Sequence, residues 1–267
     1  MIVKILACPV CKKKITEDLK CETCQRQYGK QEDVYIMLTE ISKGEFKWDE
    51  SILQKNYDDI NQRYMSYLDE ENKQAKEKAE QEFEDLLSNL SGTVLDIATG
   101  RGILLRYLIS LDNIDLIASD VDPNILLYDR SKFLNQLDRI VYTVATDAKH
   151  LAIQDNSVDF AVTFAGLNNI PSPLLAYKEI YRVLKKSSKL FALNMFVDLD
   201  SRTFKQAKEW NYDRALNQEQ MEKDLKSVGF EKVTIRIVSK AIWVDHPMDG
   251  LPFAGDMKYY GIIISEK

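Results

Sequence analysis

The stretch from Thr93 to Leu105, T-V-L-D-I-A-T-G-R-G-I-L-L, decides the fold of this 267-residue chain. Its first five residues have the length and apolar character of a buried strand. Gly100 and Gly102 follow, and an apolar segment at helical spacing comes next. A strand, a glycine turn and a helix form the first half of a nucleotide-binding βαβ unit, in which the glycines let the backbone approach a ligand closely.

The spacing of the glycines excludes two common nucleotide sites. The dinucleotide fingerprint requires a third glycine, and Leu105 stands at that position. The phosphate loop G-x-x-x-x-G-K-[ST] is absent as well. The loop is therefore not suited to a pyrophosphate or a triphosphate. Asp96, at the end of the strand, is suited to an ammonium group, which favours a ligand with an amino-acid moiety.

Further strands end close to acidic residues. Leu116–Asp120 ends on an acid about 20 residues after the glycines, the position that binds two ribose hydroxyls. Ile140–Ala145 leads to Asp147, which is placed to accept from an exocyclic amine such as that of adenine. Val158–Phe164 and Lys189–Met195 are two more predicted strands, with a helix between them. Because open α/β sheets bind ligands at the carboxyl ends of their strands, this order predicts one site along one edge.

In order and spacing, the segment from about Val94 to Met195 resembles the class I S-adenosylmethionine-dependent methyltransferases. The stretches that carry the resemblance are V-L-D-I-A-T-G-R-G, A-S-D-V-D-P-N-I-L, A-T-D-A-K-H-L-A-I-Q-D-N-S-V-D-F and Y-K-E-I-Y-R-V-L-K-K. The resemblance implies an α/β fold with a seven-stranded Rossmann-like sheet that binds S-adenosylmethionine. The family's cofactor contacts fall on Asp96, Ala98, Thr99, Gly100, Gly102, Asp120, Val121, Asp147, Ala148, Phe164 and Ala165.

Two positions depart from the pattern of this family. Ala98 stands where the first glycine of the loop is usual, which is tolerated if the turn does not require a positive φ there. Residues 185–188, K-K-S-S, replace the usual K-P-G-G turn. The C-terminal end fits the family, with a last helix at Met221–Val228 and a closing antiparallel pair at Val233–Val238 and Tyr259–Ser265.

All four cysteines lie near the N-terminus, as two C-x-x-C pairs: Cys8 with Cys11, and Cys21 with Cys24. Two such pairs supply four thiolates for a tetrahedral zinc ion. Free or disulfide-paired thiols and a redox pair are the alternatives, and neither accounts for both pairs. Four protein ligands close the coordination sphere, so the expected role of this zinc is structural.

Residues 1–42 resemble the small zinc-ribbon module that activates several RNA- and protein-modifying methyltransferases. The likeness rests on the pattern I-L-x-C-P-x-C-K, C-x-x-C-x-x-x-Y and V-x-x-M-L. Many members of that family lack the cysteines, so zinc is inferred here from spacing alone. We therefore expect a zinc-ribbon-like β-module at residues 1–44, a helical linker at 45–91 and the methyltransferase domain at 92–267.

Composition excludes several classes of protein. The chain is 45% hydrophobic and 29% charged, which is typical of a soluble globular protein. It has no apolar run long enough to span a membrane and no secretory signal pattern at its start, which predicts a cytoplasmic location. The net charge is −6, and residues 49–85 hold 12 acidic groups against 5 basic ones. No segment shows the basic excess typical of nucleic-acid binding.

The sequence shows no clear catalytic base, and Asn169, His246 and Tyr57 are the candidates for catalysis. Asn169 takes the place of the histidine in the L-x-H-I-x-D-P stretch of small-molecule methylases, which the region resembles. The spacing does not match the N-P-P-aromatic motif of amine methylases. His246 precedes a proline in a loop, where a solvated residue is favoured over one at the mouth of the site. Tyr57 belongs to an aromatic series that either lines a pocket or packs in the core.

These observations favour a methyltransferase that transfers a methyl group from S-adenosylmethionine to a small molecule. Ribosomal or transfer RNA is the alternative acceptor, because a family of ribosomal-RNA guanine methylases also joins an N-terminal zinc module to this fold. A non-catalytic cofactor-binding or scaffold protein is the second alternative. The sequence defines neither the methylated atom nor the oligomeric state.

Overall fold

A nine-stranded sheet organises the chain in a computed structural model that describes residues 2–42 and 46–267. The spatial order of its strands is β1-β2-β5-β4-β3-β6-β7-β9-β8. Their bounds are β1 Gly29–Gln31, β2 Val34–Ile36, β3 Gly92–Ile97, β4 Ile114–Asp120, β5 Val141–Ala145, β6 Val158–Phe164, β7 Leu184–Val197, β8 Lys232–Ile242 and β9 Met257–Glu266. The α/β class predicted from the sequence is confirmed.

The predicted number of seven strands was wrong. Strands β3 to β9 form the expected seven: β5, β4, β3, β6 and β7 pair in parallel, and β9 and β8 close the sheet in antiparallel pairing. The two additional strands, β1 and β2, form a hairpin, and β2 pairs in parallel with β5, with Val34 opposite Thr143. A sequence pattern shows that a strand exists but not which edge strand it joins, so the extension of the sheet was missed.

The helices lie on both faces of this sheet, and four of those described begin at a residue whose side chain caps the first turn. Asp69 accepts from the amide of Asn72 at the start of the longest one, and Asp122 accepts from the amide of Asn124 at another. None of the described helices is long and apolar enough to cross a membrane. Within the described residues the bounds are α1 Glu50–Leu53, α2 Tyr57–Ser66, α3 Glu70–Leu87, α4 Ile103–Leu108, α5 Pro123–Lys132, α6 Leu174–Val183, α7 Arg202–Glu209, α8 Asp213–Leu216 and α9 Gln218–Val228.

Residues 2–42, here called the N-terminal module, share a core with the sheet. Leu6 and Met37 are fully buried in the same apolar cluster as Leu95 of β3. The amide of Met37 donates to the carbonyl of Ala145 at the end of β5, at 2.8 Å. The limits at residues 44 and 91 that we predict for the module and the linker stay a prediction, and residues 44 and 45 lie outside the described part of the chain.

The carboxyl ends of β3 and β6 approach each other closely. The hydroxyl of Thr163 donates to the carbonyl of Ile97 at 2.7 Å. A Cβ added at Gly166 would meet that hydroxyl, and would lie 2.9 Å from the Cβ of Ala98 and 3.0 Å from the carbonyl oxygen of Ile97. Gly166 has an ordinary φ of −71°. The glycine is therefore required for space and not for its backbone conformation.

We expect Gly166→Ala to lower the free energy of unfolding by about 1–3 kcal/mol, the usual effect of overpacking a dense interior. Urea denaturation followed by circular dichroism measures this change. Gly29→Ala is the matched control, because an added Cβ at that position meets nothing within 4 Å. Equal stability of the two variants would contradict the close approach of β3 and β6.

Candidate functional site

A tight turn from Ala98 to Gly102, here called the glycine turn, connects β3 to α4. Three of its five residues have a positive φ: Ala98 at 53°, Gly100 at 55° and Gly102 at 74°. The amide of Thr99 donates to the carbonyl of Ser119 in β4 at 2.9 Å. The turn therefore requires a positive φ at Ala98, so the condition under which alanine is readily tolerated there is not met. An alanine in this region costs about 1–2 kcal/mol, which the surrounding packing must offset.

The carboxylate of Asp120 fastens the glycine turn to the end of β4. Its Oδ2 accepts from the amide of Gly100 and its Oδ1 from the amide of Asp122, both at 3.0 Å. Burial raises the pKa of Asp120 to about 6, although these backbone donors act to lower it. Each carboxylate oxygen has two acceptor positions, so Asp120 is still able to accept from two hydroxyls of a ligand.

Asp96 is a buried carboxylate without a partner. It is 1% exposed, and neither of its oxygens has a hydrogen-bond partner in the described part of the chain. Burial raises the pKa of Asp96 to about 7; the nearby side chain of Thr99 acts to lower it, and the charge of Asp120 to raise it. Buried polar atoms in folded proteins are nearly always paired. An orphaned carboxylate beside a glycine turn therefore fits the ammonium group of a ligand such as S-adenosylmethionine.

Asp147 lies at the same edge of the sheet, just after β5. Its Oδ1 accepts from the amide of Lys149 at 2.8 Å, and its Oδ2 accepts from the hydroxyl of the fully buried Ser42 at 2.9 Å. Ala148 begins the short 3-10 helix that follows. Asp147 is thus brought to the edge that also carries Asp96, and it is tied to the N-terminal module.

The remaining predicted cofactor residues also lie at this edge. Val121 follows β4 directly, and Phe164 is the last residue of β6. Ala165 comes next, with a φ of 55°, and its amide donates to the carbonyl of Leu193 in β7 at 2.8 Å. Parallel pairing of β4, β3, β6 and β7 therefore brings residues that are far apart in sequence to the same edge of the sheet.

Asp129 of α5 is a buried acid that the sequence reasoning missed. It is fully buried, and neither of its oxygens has a partner in the described residues. A Cβ added at Gly102 would lie 3.4 Å from its Oδ1, so Asp129 packs directly behind the glycine turn. Burial raises the pKa of Asp129 well above the usual value. The sequence signal that could have identified it was an acidic residue among the apolar residues of the predicted helix that became α5.

Two aromatic contacts cover the glycine turn from outside. The backbone amide of Trp48 donates to Asp122 at 2.8 Å, and a Cβ added at Gly100 would lie 3.1 Å from the indole ring of Trp48. The guanidinium of Arg106 lies 3.9 Å from the ring centre of Tyr57 and 4.4 Å from that of Phe133. Tyr57, one of the catalytic candidates, thus packs against a cation.

The other two catalytic candidates lie in different surroundings. Asn169 is exposed, follows β6, and donates through Nδ2 to the carbonyl of Ala165 at 2.9 Å. His246 is only 4% exposed, so the solvated position favoured from the sequence was wrong. Its loop folds against α2, where its ring centre lies 4.2 Å from that of Tyr64. A proline and several polar residues beside His246 concealed this burial.

The four cysteines come together in the N-terminal module. All four Sγ atoms lie within 4.8 Å of one another, with 3.5 Å between Cys8 and Cys24 and 3.4 Å between Cys11 and Cys21. No disulfide joins them. Four thiols around one point fit a zinc ion with Zn–S distances of about 2.3 Å. The hydroxyl of Tyr28 lies 3.1 Å from Cys8 Sγ and supports the cluster from one side.

Comparison with known proteins finds similarity over the segment that contains this edge of the sheet. Residues 95–192, from β3 into β7, match the family model described as a methyltransferase domain. A ubiquinone/menaquinone biosynthesis C-methyltransferase of Rickettsia bellii is 34% identical over 119 residues, which cover 42% of this chain and 48% of that protein. The chain thus spans about half the length of the curated relatives it matches.

Solved structures show the same fold at low sequence identity. A phosphoethanolamine N-methyltransferase of Haemonchus contortus in complex with S-adenosyl-L-methionine matches with a TM-score of 0.53 and 19% identity, over 66% of this chain and 49% of that one. The [4+2]-cyclase SpnF matches with a TM-score of 0.56 and 20% identity, over 70% of this chain and 80% of that one. A cyclase on this fold illustrates that the architecture alone does not define the reaction.

The matched segment begins inside β3, contains the glycine turn and the edge with Asp96, Asp120 and Asp147, and ends inside β7. Residues 95–192 therefore match a methyltransferase domain, and the sheet around them has the fold of solved S-adenosylmethionine-dependent methyltransferases.

Proposed function

We propose that this chain is an S-adenosylmethionine-dependent methyltransferase whose acceptor is a small molecule. The observation that carries the proposal is the orphaned, buried carboxylate of Asp96 beside a turn with two left-handed glycines. An ammonium group is the ligand that such a carboxylate requires. The family model and the curated relatives support the same activity.

Three acids at the carboxyl edge of the sheet would bind different parts of the cofactor. Asp96 would accept from the ammonium group, Asp120 from the ribose hydroxyls and Asp147 from the adenine amine. The glycine turn leaves room for the backbone to approach the amino-acid moiety. S-adenosylmethionine supplies a methyl group that its sulfonium charge has already activated. The protein therefore contributes mainly alignment of the acceptor and exclusion of water.

A small acceptor has more support than RNA. The curated relatives are named for ubiquinone and menaquinone biosynthesis, which favours a small molecule. The net charge of −6 without a basic segment disfavours binding to a nucleic acid. Isothermal titration with S-adenosylhomocysteine is the first test. Micromolar binding justifies screening of acceptors with a labelled methyl donor, with RNA fractions beside small-molecule extracts. Absence of binding would favour the scaffold alternative.

We also propose that the four cysteines hold a structural zinc ion, which implies a reducing, cytoplasmic location. The support is the four convergent thiols, which leave no coordination position for a substrate. Lys12, which directly follows Cys11, forms an ion pair with Glu179 of α6 at 2.6 Å. The metal would thereby position the module against the methyltransferase domain.

Asp120→Ala tests the site directly. We expect this change to weaken S-adenosylhomocysteine binding by about ten- to a hundredfold, because charge-assisted hydrogen bonds to the ligand are lost and the glycine turn is released. Asp115→Ala in the same strand is the control, because Asp115 is exposed. Calorimetry that gives one affinity for both variants would contradict the assignment of Asp120.

The pKa of about 7 at Asp96 predicts that cofactor binding depends on pH. Only the ionised carboxylate binds an ammonium group well, so the Kd of S-adenosylhomocysteine should fall about tenfold between pH 6 and pH 8. The free energy of unfolding of the ligand-free protein should fall as the pH rises from about 4 to about 7. Over this range the native state keeps the proton of Asp96, whereas the unfolded chain loses it. Asp96→Asn should flatten the binding profile. An affinity independent of pH in the unaltered protein would refute this role.

Metal analysis tests the cysteine cluster. We expect about one zinc per chain in protein purified under reducing conditions, and loss of that zinc in Cys11→Ser. The same variant should unfold at a lower temperature, because the module shares its core with the sheet. Lys13→Ser is the control, because Lys13 is exposed and is not part of the thiol cluster. Reduced protein that contains no zinc would refute the proposed zinc site.

A further inference from the structure

Four buried side chains, here called the lysine–aromatic cluster, gather where β8 and β9 meet α2. They are Trp243, His246, Lys258 and Tyr260, each at most 7% exposed. The ammonium of Lys258 lies 3.7 Å from the ring centre of Trp243 and 4.9 Å from that of Tyr260. The rings of Trp243 and His246 lie 5.6 Å apart, centre to centre.

The polar atoms of this cluster are unsatisfied. Trp243 Nε1, His246 Nδ1 and the hydroxyl of Tyr260 have no hydrogen-bond partner in the described residues. Lys258 forms neither a hydrogen bond nor an ion pair with any described residue. Buried polar atoms are costly to leave unpaired. Three of them in one cluster, beside a buried ammonium, indicate a binding site for a ligand.

The charge of the cluster defines what that ligand carries. Burial lowers the pKa of Lys258 to about 8, while the carboxylates of Asp249 and Glu80 act to raise it, so the side chain is still mostly protonated at neutral pH. A cation–π contact does not replace the solvation of an ammonium. Lys258, Trp243 and Tyr260 all offer donors. An oxygen anion is a partner that suits each of these donors.

The cluster faces the carboxyl edge of the sheet, where the cofactor residues lie. Lys258 pairs with Val197, the last residue of β7, which runs parallel to β6. The hydroxyl of Tyr64 donates to Asp249 at 2.8 Å. Burial lowers the pKa of Arg101 in the glycine turn and of Lys258 in the cluster, and Asp249 acts to raise both. Asp249 is therefore within electrostatic range of both sites.

His246 adds a proton acceptor to the donors. Its Nε2 lies 3.1 Å from the carbonyl oxygen of Tyr64, which only accepts, so Nε2 carries the hydrogen. In the neutral ring, Nδ1 then holds a free lone pair. A hydroxyl bound beside it transfers its proton to Nδ1, and the oxygen keeps the bonding electron pair as an anion that Lys258 stabilises.

We propose that the lysine–aromatic cluster binds the anionic oxygen group, a phenolate or a carboxylate, of a small methyl acceptor. This inference rests on the proposed function and defines its substrate class. An amine acceptor would bring a second cation beside Lys258 and is disfavoured. Planar acceptors suit the site because Trp243, His246 and Tyr260 present ring faces and edges.

The test uses 4-nitrophenol, whose phenolate form is coloured, with protein saturated with S-adenosylhomocysteine. We expect binding with ionisation of the probe, seen as phenolate absorbance below its ordinary pKa. Lys258→Met should weaken binding at least about tenfold. The matched control is Lys240→Met, which removes an exposed lysine that lies 5.9 Å from the ring centre of Tyr259. Equal binding by the two variants, or no binding by the unaltered protein, overturns the proposal.

Tyr260→Phe provides a second variant that should fold normally. Removal of an unpaired buried hydroxyl leaves stability unchanged or raises it, whereas a role in anion binding predicts a several-fold weaker affinity for 4-nitrophenol. Unchanged affinity in this variant, together with normal binding by Lys258→Met, contradicts the site. Displacement of the probe by benzoate extends the acceptor class to carboxylates, and failure to displace it restricts the class to phenolates.

Calorimetry on the same preparation separates this inference from the proposed function. Binding of S-adenosylhomocysteine without binding of 4-nitrophenol overturns the acceptor class alone. Binding of 4-nitrophenol that depends on Lys258, in protein that does not bind S-adenosylhomocysteine, supports the anion site and refutes the methyltransferase activity.

Discussion

The hydrogen bond from the amide of Gly100 to the carboxylate of Asp120 is the contact on which the site depends. It joins the turn after β3 to the end of β4, and the same carboxylate fixes the amide of Asp122 at the start of α5. The helix α5 in turn places Asp129 behind the turn. One buried acid therefore sets the positions of the turn, the neighbouring strand and the helix. This explains why a carboxylate is retained where burial opposes its charge.

Much of this arrangement could be predicted from the sequence, because strands, glycines and acids follow local rules. The strand Val158–Phe164 and the acids at 96, 120 and 147 needed only apolar runs and turn residues to be found. The edge pairing of β2 with β5, the positive φ of Ala98 and the burial of His246 could not be predicted. Each depends on contacts between segments that are distant in sequence. The local sequence around a residue does not show which distant segment it contacts.

The N-terminal module supports the cofactor edge through several independent contacts. Met37 hydrogen-bonds to Ala145 at the end of β5, and Ser42 donates to Asp147, the residue assigned to the adenine amine. Lys12, directly after Cys11, binds Glu179 of α6. Because one of these contacts lies between the two cysteine pairs and the others follow them in sequence, loss of order at the cysteines would loosen the proposed adenine end of the site before the proposed methionine end.

Unpaired buried groups occur at both proposed sites, and their chemistry differs. The carboxyl oxygens of Asp96 and Asp129 are unpaired at the glycine turn, whereas Trp243 and Tyr260 leave donors unpaired beside the ammonium of Lys258. A cationic methyl donor and an anionic acceptor would relieve both sets. Methyl transfer from a sulfonium to an anion forms two neutral groups, and such a reaction is favoured where water is excluded. The unpaired groups that destabilise the free fold are thus the ones that this chemistry requires.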